Sequence, residues 1–106
     1  MCEFSVVVRE GSSEKEVARD IIYARMCDRG LTLRSFLDEK TANSAVIFEV
    51  DVTKERMVLI RAPFIEHFLK LLLMYESYRR GERDADAVKK MLDEFYREVK
   101  KYLDST

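Results

Sequence analysis

Pro63 is the only proline in the chain, and it separates two kinds of sequence. Before it, apolar residues recur at every second position in short runs, each closed by a polar or glycine-containing break. After it, they recur three and four positions apart. Period two belongs to a strand with one buried face, and a period of about 3.6 belongs to a helix. A chain built this way must fold a sheet onto itself first and add helices at its end.

In the first run Cys2, Phe4, Val6 and Val8 share one face, and Glu3, Ser5, Val7 and Arg9 share the other. The first set is expected to turn inward. Glu10 to Lys15 is a polar break containing Gly11. Val17 to Cys27 alternates again and reads as a single second strand, with Val17, Arg19, Ile21, Tyr23 and Arg25 on one side. Asp28-Arg29-Gly30 is a tight-turn signal in which Gly30 can take positive φ. Leu31, Leu33 and Leu37 mark a third strand, and Asp38 to Ser44 reads as a polar loop. Ala45 to Val52 is a fourth strand, with Val46, Phe48, Val50 and Val52 in register, and Met57 to Arg61 is a fifth. Five short strands with tight connections predict a small closed or nearly closed β-barrel, because closure hides edge strands.

Beyond Pro63, which suits the first turn of a helix, Phe64 to Arg80 is apolar almost all round. Gly81 is placed to end this helix as its C′ residue. Asp84 is placed to cap a second one, from about Ala85 to Leu103, with Asp86 in its first turn. The second helix carries one narrow stripe: Ala85, Val88, Leu92, Phe95, Val99 and Tyr102. The first has a surplus. Nine large side chains between Phe64 and Tyr75, each worth about 1.5–3 kcal/mol when buried, exceed what one amphipathic partner helix can cover. The rest should pack on the barrel or on a second copy of the chain. Phe64, Phe68, Leu72 and Tyr75 are the candidate packing or dimer residues, and a homodimer is expected. The fold class is therefore α+β, with a β-barrel domain over residues 1–62 and an antiparallel α-hairpin over residues 63–106.

Composition narrows the function. Of the 106 residues, 47% are hydrophobic and 37% charged, as in a globular domain, and the net charge is −1. Neither half hides a basic field. Residues 1–62 carry 10 Lys/Arg against 11 Asp/Glu, and residues 63–106 carry nine against nine. Glu3, Arg9 and Glu10 interrupt any signal-peptide core, and no apolar run is long enough to span a membrane. Two cysteines without an export signal point to a reducing cytoplasm. A chain with no Gln or Trp and one Asn, rich in Lys, Arg and Glu, fits a thermophile.

Catalytic constellations are absent from the pattern. The sequence has one histidine, no CxxC, no HExxH and no glycine-rich phosphate loop, which points to a non-enzymatic protein. Cys2 has two readings. It is either a small apolar residue at a strand end or a soft metal ligand. Its thiolate lies beside a peptide amide and, once Met1 is trimmed, carries a free amine on its own residue; sulfur and nitrogen together suit Ni(II) or copper. One chain offers too few ligands, so a two-fold axis supplying two Cys2 groups would complete the site. Cys27 reads as strand-end packing or a second ligand, and His67 as an interface residue on an apolar helix. A third reading is single-stranded RNA on a basic-aromatic face made by Arg19, Tyr23 and Arg25. A fourth is a protein-interaction module docking through the hairpin.

The segments MCEFSVVV, VARDIIYARM, GLTLRSFL and AVIFEVDVTKERMVLI resemble the CooT-like family over about residues 1–61. The most specific element is Cys2 directly after Met1. The resemblance implies an SH3-like or Sm-like small barrel that dimerises. It also implies Ni(II) held through Cys2 at the dimer interface, and a role in supplying nickel to carbon monoxide dehydrogenase. Archaeal members are often labelled predicted RNA-binding proteins because of the barrel. The hairpin over residues 63–103 departs from the short members of the family.

Overall fold

In the computed structural model, residues 3–105 are described. Seven strands precede two helices. The strands are β1 (Phe4–Glu10), β2 (Ser13–Ile21), β3 (Tyr23–Cys27), β4 (Gly30–Arg34), β5 (Glu39–Asn43), β6 (Ala45–Asp51) and β7 (Arg56–Arg61). The helices are α1 (Ile65–Arg79) and α2 (Ala85–Asp104). One sheet has the order β2-β1-β7-β6 and the other the order β3-β4-β5. All pairings are antiparallel except that of β1 with β7, which is parallel.

The core lies between the sheets. Val6 and Val8 of β1, Ala18 and Ile21 of β2, Ala45 of β6 and Met57 and Leu59 of β7 meet Leu31 and Leu33 of β4 and Ala42 of β5. The inward parity read for β1 holds among its described residues: Val6 and Val8 are buried, and Phe4 packs against the cluster.

The α+β class is observed, but the five-stranded closed barrel is corrected. There are seven strands in two sheets, and the described strands do not close into a barrel: β2 and β6 end one sheet, β3 and β5 the other. Two local causes account for the difference. The run from Val17 to Cys27 is not one strand, because Asp20 takes a left-handed φ of 57°. The register against β1 shifts there, so Ala18 pairs with Val6 and Ile21 with Phe4. A left-handed residue inside a strand bends it, and the chain leaves one sheet at Ile21 to enter the other at Tyr23. The second cause is β5. Its residues Glu39, Lys40, Thr41 and Asn43 are exposed and only Ala42 turns inward, so an edge strand carrying charge as protection against further pairing looks like a loop in sequence. Leu37 belongs to no strand and is almost fully exposed.

The hairpin turn is as read. Cys27 pairs with Gly30 across Asp28-Arg29, and Gly30 has φ of 149°. A β-carbon there would meet the Ala42 carbonyl oxygen at 2.2 Å and the Ser44 nitrogen at 2.9 Å. The glycine therefore lets β4 approach the end of β5.

Helix α1 starts after Phe64, two residues beyond Pro63. It ends in a Schellman motif: the Glu82 amide donates to the Ser77 carbonyl and the Gly81 amide to the Tyr78 carbonyl, both at 3.0 Å, with Gly81 at φ 79°. Asp84 caps α2 by accepting from the Ala87 amide at 3.0 Å. Ile65 and Leu69 of α1 are buried, but α2 buries no residue.

Gly30→Ala should destabilise the fold by on the order of 3 kcal/mol, from backbone overlap plus left-handed strain. Denaturant unfolding followed by circular dichroism checks this; an unchanged midpoint would show that the β4–β5 approach is looser than described.

Candidate functional site

Cys2 lies outside the described residues, so the search for a site starts from the strand that follows it. β1 is held on both sides. The Ser5 amide donates to the Glu55 carbonyl at 2.9 Å, and Phe4 pairs with Ile21. Arg56, opposite Ser5 in β7, forms an ion pair with Glu14 of β2. The chain thus emerges from a fixed, polar corner of the four-stranded sheet.

Cys27 ends β3, is half-buried and is a free thiol. Its neighbour is the Thr32 hydroxyl, which donates to Sγ at 3.9 Å. On one side its neighbours Met26, Ile47, Phe68, Leu72 and Leu73 are apolar; on the other it lines a polar cleft with Arg25, Asp28, Thr32, Arg34 and Glu39. The single histidine, His67 on α1, places Nε2 3.6 Å from Oε2 of Glu98 on α2. That contact clips the two helices together, gaining charge only when the imidazole is protonated. Among the described residues no group of three or more His, Cys, Asp or Glu could hold a metal ion.

The residues read for RNA fall in separate places. Tyr23 and Arg25 lie on β3 and line one cleft with Arg34 and Glu39. Arg19 lies on β2, before the Asp20 bend, lines a different cleft and pairs with Glu16 at 2.7 Å. The Arg19 guanidinium is held above its ordinary pKa, first by that hydrogen bond and then by the charge of Glu16. The Tyr23 ring carries the Arg34 guanidinium 4.5 Å from its centre, and Arg34 also approaches Glu39 at 3.8 Å. That arrangement needs the β3–β4–β5 register, in which Tyr23 faces Arg34 and Arg34 faces Glu39. Reading residues 38–44 as a loop concealed it. Phe48 is likewise covered by a cation, with Arg9 4.8 Å from its ring centre.

The candidate packing residues of α1 come together as a stripe. Phe64 and Phe68 both meet Phe95 of α2, with ring centres 6.2 Å and 6.1 Å apart. Phe68, Leu72 and Tyr75 continue along the same side of α1 and are 39%, 49% and 46% exposed.

The architecture is that of a small two-sheet α+β protein with no group of three or more His, Cys, Asp or Glu placed to hold a metal among its described residues. The family described as CO dehydrogenase accessory protein CooT matches residues 1–60, more than half of the chain, and the chain belongs to that family. A solved structure from Carboxydothermus hydrogenoformans, of a protein provisionally designated CooT, superimposes with a TM-score of 0.53 at 22% identity. The correspondence covers 57% of this chain and 98% of that one. That likeness concerns the fold, and it accounts for nearly all of the neighbour with little more than half of this chain. No curated protein matches the chain. No helix among the described residues is long and apolar enough to cross a membrane.

His67→Ala should lower stability by less than about 1 kcal/mol, since the Glu98 pair is partly exposed, and should leave metal stoichiometry unchanged. Thermal unfolding and a metal titration of the variant check both; loss of metal binding would move His67 into the ligand set.

Proposed function

We propose that this protein is a non-enzymatic accessory in the maturation of a nickel enzyme of the carbon monoxide dehydrogenase type, carrying Ni(II) as cargo through Cys2. The observation that carries the reading is the family match, which begins at residue 1 and so includes Cys2. The chemistry agrees with it. A thiolate beside backbone nitrogen is a soft donor set of the kind Ni(II) takes. In this reading one chain's Cys2 offers too few donors, and two chains share the site, each giving its Cys2. Cys27, hydrogen-bonded by the Thr32 hydroxyl, takes no part in the proposed site. The reading places the protein in the cytoplasm, where thiols stay reduced, and makes the recipient enzyme its transient partner. It divides the chain into a metal-handling unit over residues 1–62 and a hairpin appendage.

Few and shared ligands suit a carrier. A site that comes apart when two chains shift, or when a recipient offers more donors, can release its ion. The metal-binding form of cysteine is the thiolate, so binding releases protons and weakens as pH falls below the thiol's own pKa.

Titration of the reduced protein with Ni(II), followed by thiolate-to-metal absorption, should saturate near one ion per two chains and weaken as pH is lowered. Cys2→Ser should abolish the signal, and Cys27→Ser should leave it intact. Saturation unaffected by Cys2→Ser, or no binding by the parent protein, would overturn the proposal.

A further inference from the structure

The hairpin of α1 and α2 is under-buried. The chain exposes 7581 Å², whereas a folded monomer of 12.5 kDa exposes about 6,200 Å². Its radius of gyration is 15.8 Å, against about 13 Å for a compact domain of this length. The surplus area, about 1,400 Å², matches what one protomer gives up in an obligate homodimer.

The hairpin carries many of the exposed large apolar side chains. On α1, Phe68, Leu72 and Tyr75 follow at spacings of four and three. On α2, Leu92, Tyr96 and Val99 repeat the same spacing, with Leu92 52% and Tyr96 64% exposed. The two stripes are joined where Phe95 meets Phe64 and Phe68, and Phe64, Leu92, Phe95, Tyr96 and Val99 line one shallow apolar cavity. Phe68 and Leu72 also border the sheet residues Met26 and Ile47, but both helices leave large apolar side chains exposed, and two adjacent antiparallel helices of this kind make half of a four-helix bundle.

We infer that the face is filled by the hairpin of a second copy of this chain, packed about a two-fold axis as an intermolecular four-helix bundle. Charge favours this occupant. Residues 63–106 carry nine Lys/Arg and nine Asp/Glu, so two hairpins meet without net repulsion, and the hairpin offers no single-signed field for a nucleic acid or an anionic membrane. The area argues in the same direction, since one two-fold contact covers the same patch on both chains. This inference does not rest on nickel. The hairpin leaves the four-stranded sheet where β7 ends, while residue 4 enters it beside the start of β7.

Sedimentation equilibrium of the full chain, reduced and with a chelator present, tests it. The parent protein and Cys2→Ser should both be dimers at micromolar concentration. Leu72→Glu and Tyr96→Glu, each present twice in a two-fold interface, should each raise the dissociation constant at least about thirty-fold, with the helical circular dichroism signal retained. If Leu72→Glu loses that signal, Tyr96→Glu, the more exposed position, decides alone. A metal-free monomer would overturn the inference and leave the face to another protein. A dimer insensitive to both substitutions would also overturn it and move the interface elsewhere, for instance to the exposed edge of β6. Loss of nickel binding in Cys2→Ser with the dimer intact upholds the inference, so the two proposals fail separately.

Discussion

The pairing of β1 with β7 is the contact on which the rest of the fold depends. Antiparallel neighbours can be joined by a two-residue turn, but a parallel pair needs the chain to travel back before it can be made. Here the return journey is the rest of the β half, β2 to β6. β1 and β7 are also the two inner strands of their sheet, and Met57, Val58 and Leu59 of β7 are all buried. Ion pairs stand near both ends, Glu14 with Arg56 and Glu10 with Arg61. They are exposed and worth little each. The family match stops at residue 60 and β7 stops at Arg61, so the matched segment is the stretch needed to complete this parallel pair. The hairpin follows at a point where no strand is interrupted.

Period-two parity carried most of the sheet, and it failed where the backbone leaves the extended region. Asp20, Ser44 and Glu55 all have left-handed φ without being glycine. Asp20 breaks the alternation, so Ala18 and Ile21 are both buried although they are three apart. At Phe48 an extra residue sits between the Ile47–Leu59 and Glu49–Val58 pairs, which removes the shared face expected of Val46, Phe48, Val50 and Val52. Bulges are set by what the next sheet must cover, and an isolated run does not encode that. β5 was hidden for the opposite reason: its outward residues are polar, and a lone inward Ala42 leaves no apolar rhythm.

The helices were easier to read, because their signals are local. Gly81 and Asp84 end and begin them as the capping rules require. The excess of apolar residues in α1 also pointed to Phe64, Phe68, Leu72 and Tyr75 as a stripe, although the share left exposed depends on how little of α1 the sheets and α2 cover. The metal reading stands differently. Cys2 is singled out by its place beside Met1 and by family resemblance, and nothing in the local spacing supplies further ligands; in the proposed two-chain site each sequence would carry only half of them.

The two proposed contacts divide the work of a carrier. A metal that had to assemble two free chains around itself would bear the whole entropy of their association, and its affinity would follow protein concentration. Helices that hold the protomers together remove that dependence. In a dimer whose axis also brings the two N-terminal segments together, the second thiolate arrives at an effective concentration fixed by the geometry of the dimer. Metal release no longer has to separate the chains, since the hairpin contact is apolar and takes no part in coordination. A soft ligand at a chain terminus and an apolar face on an appended hairpin answer different requirements: the first lets the ion go, and the second keeps the pair ready for the next one.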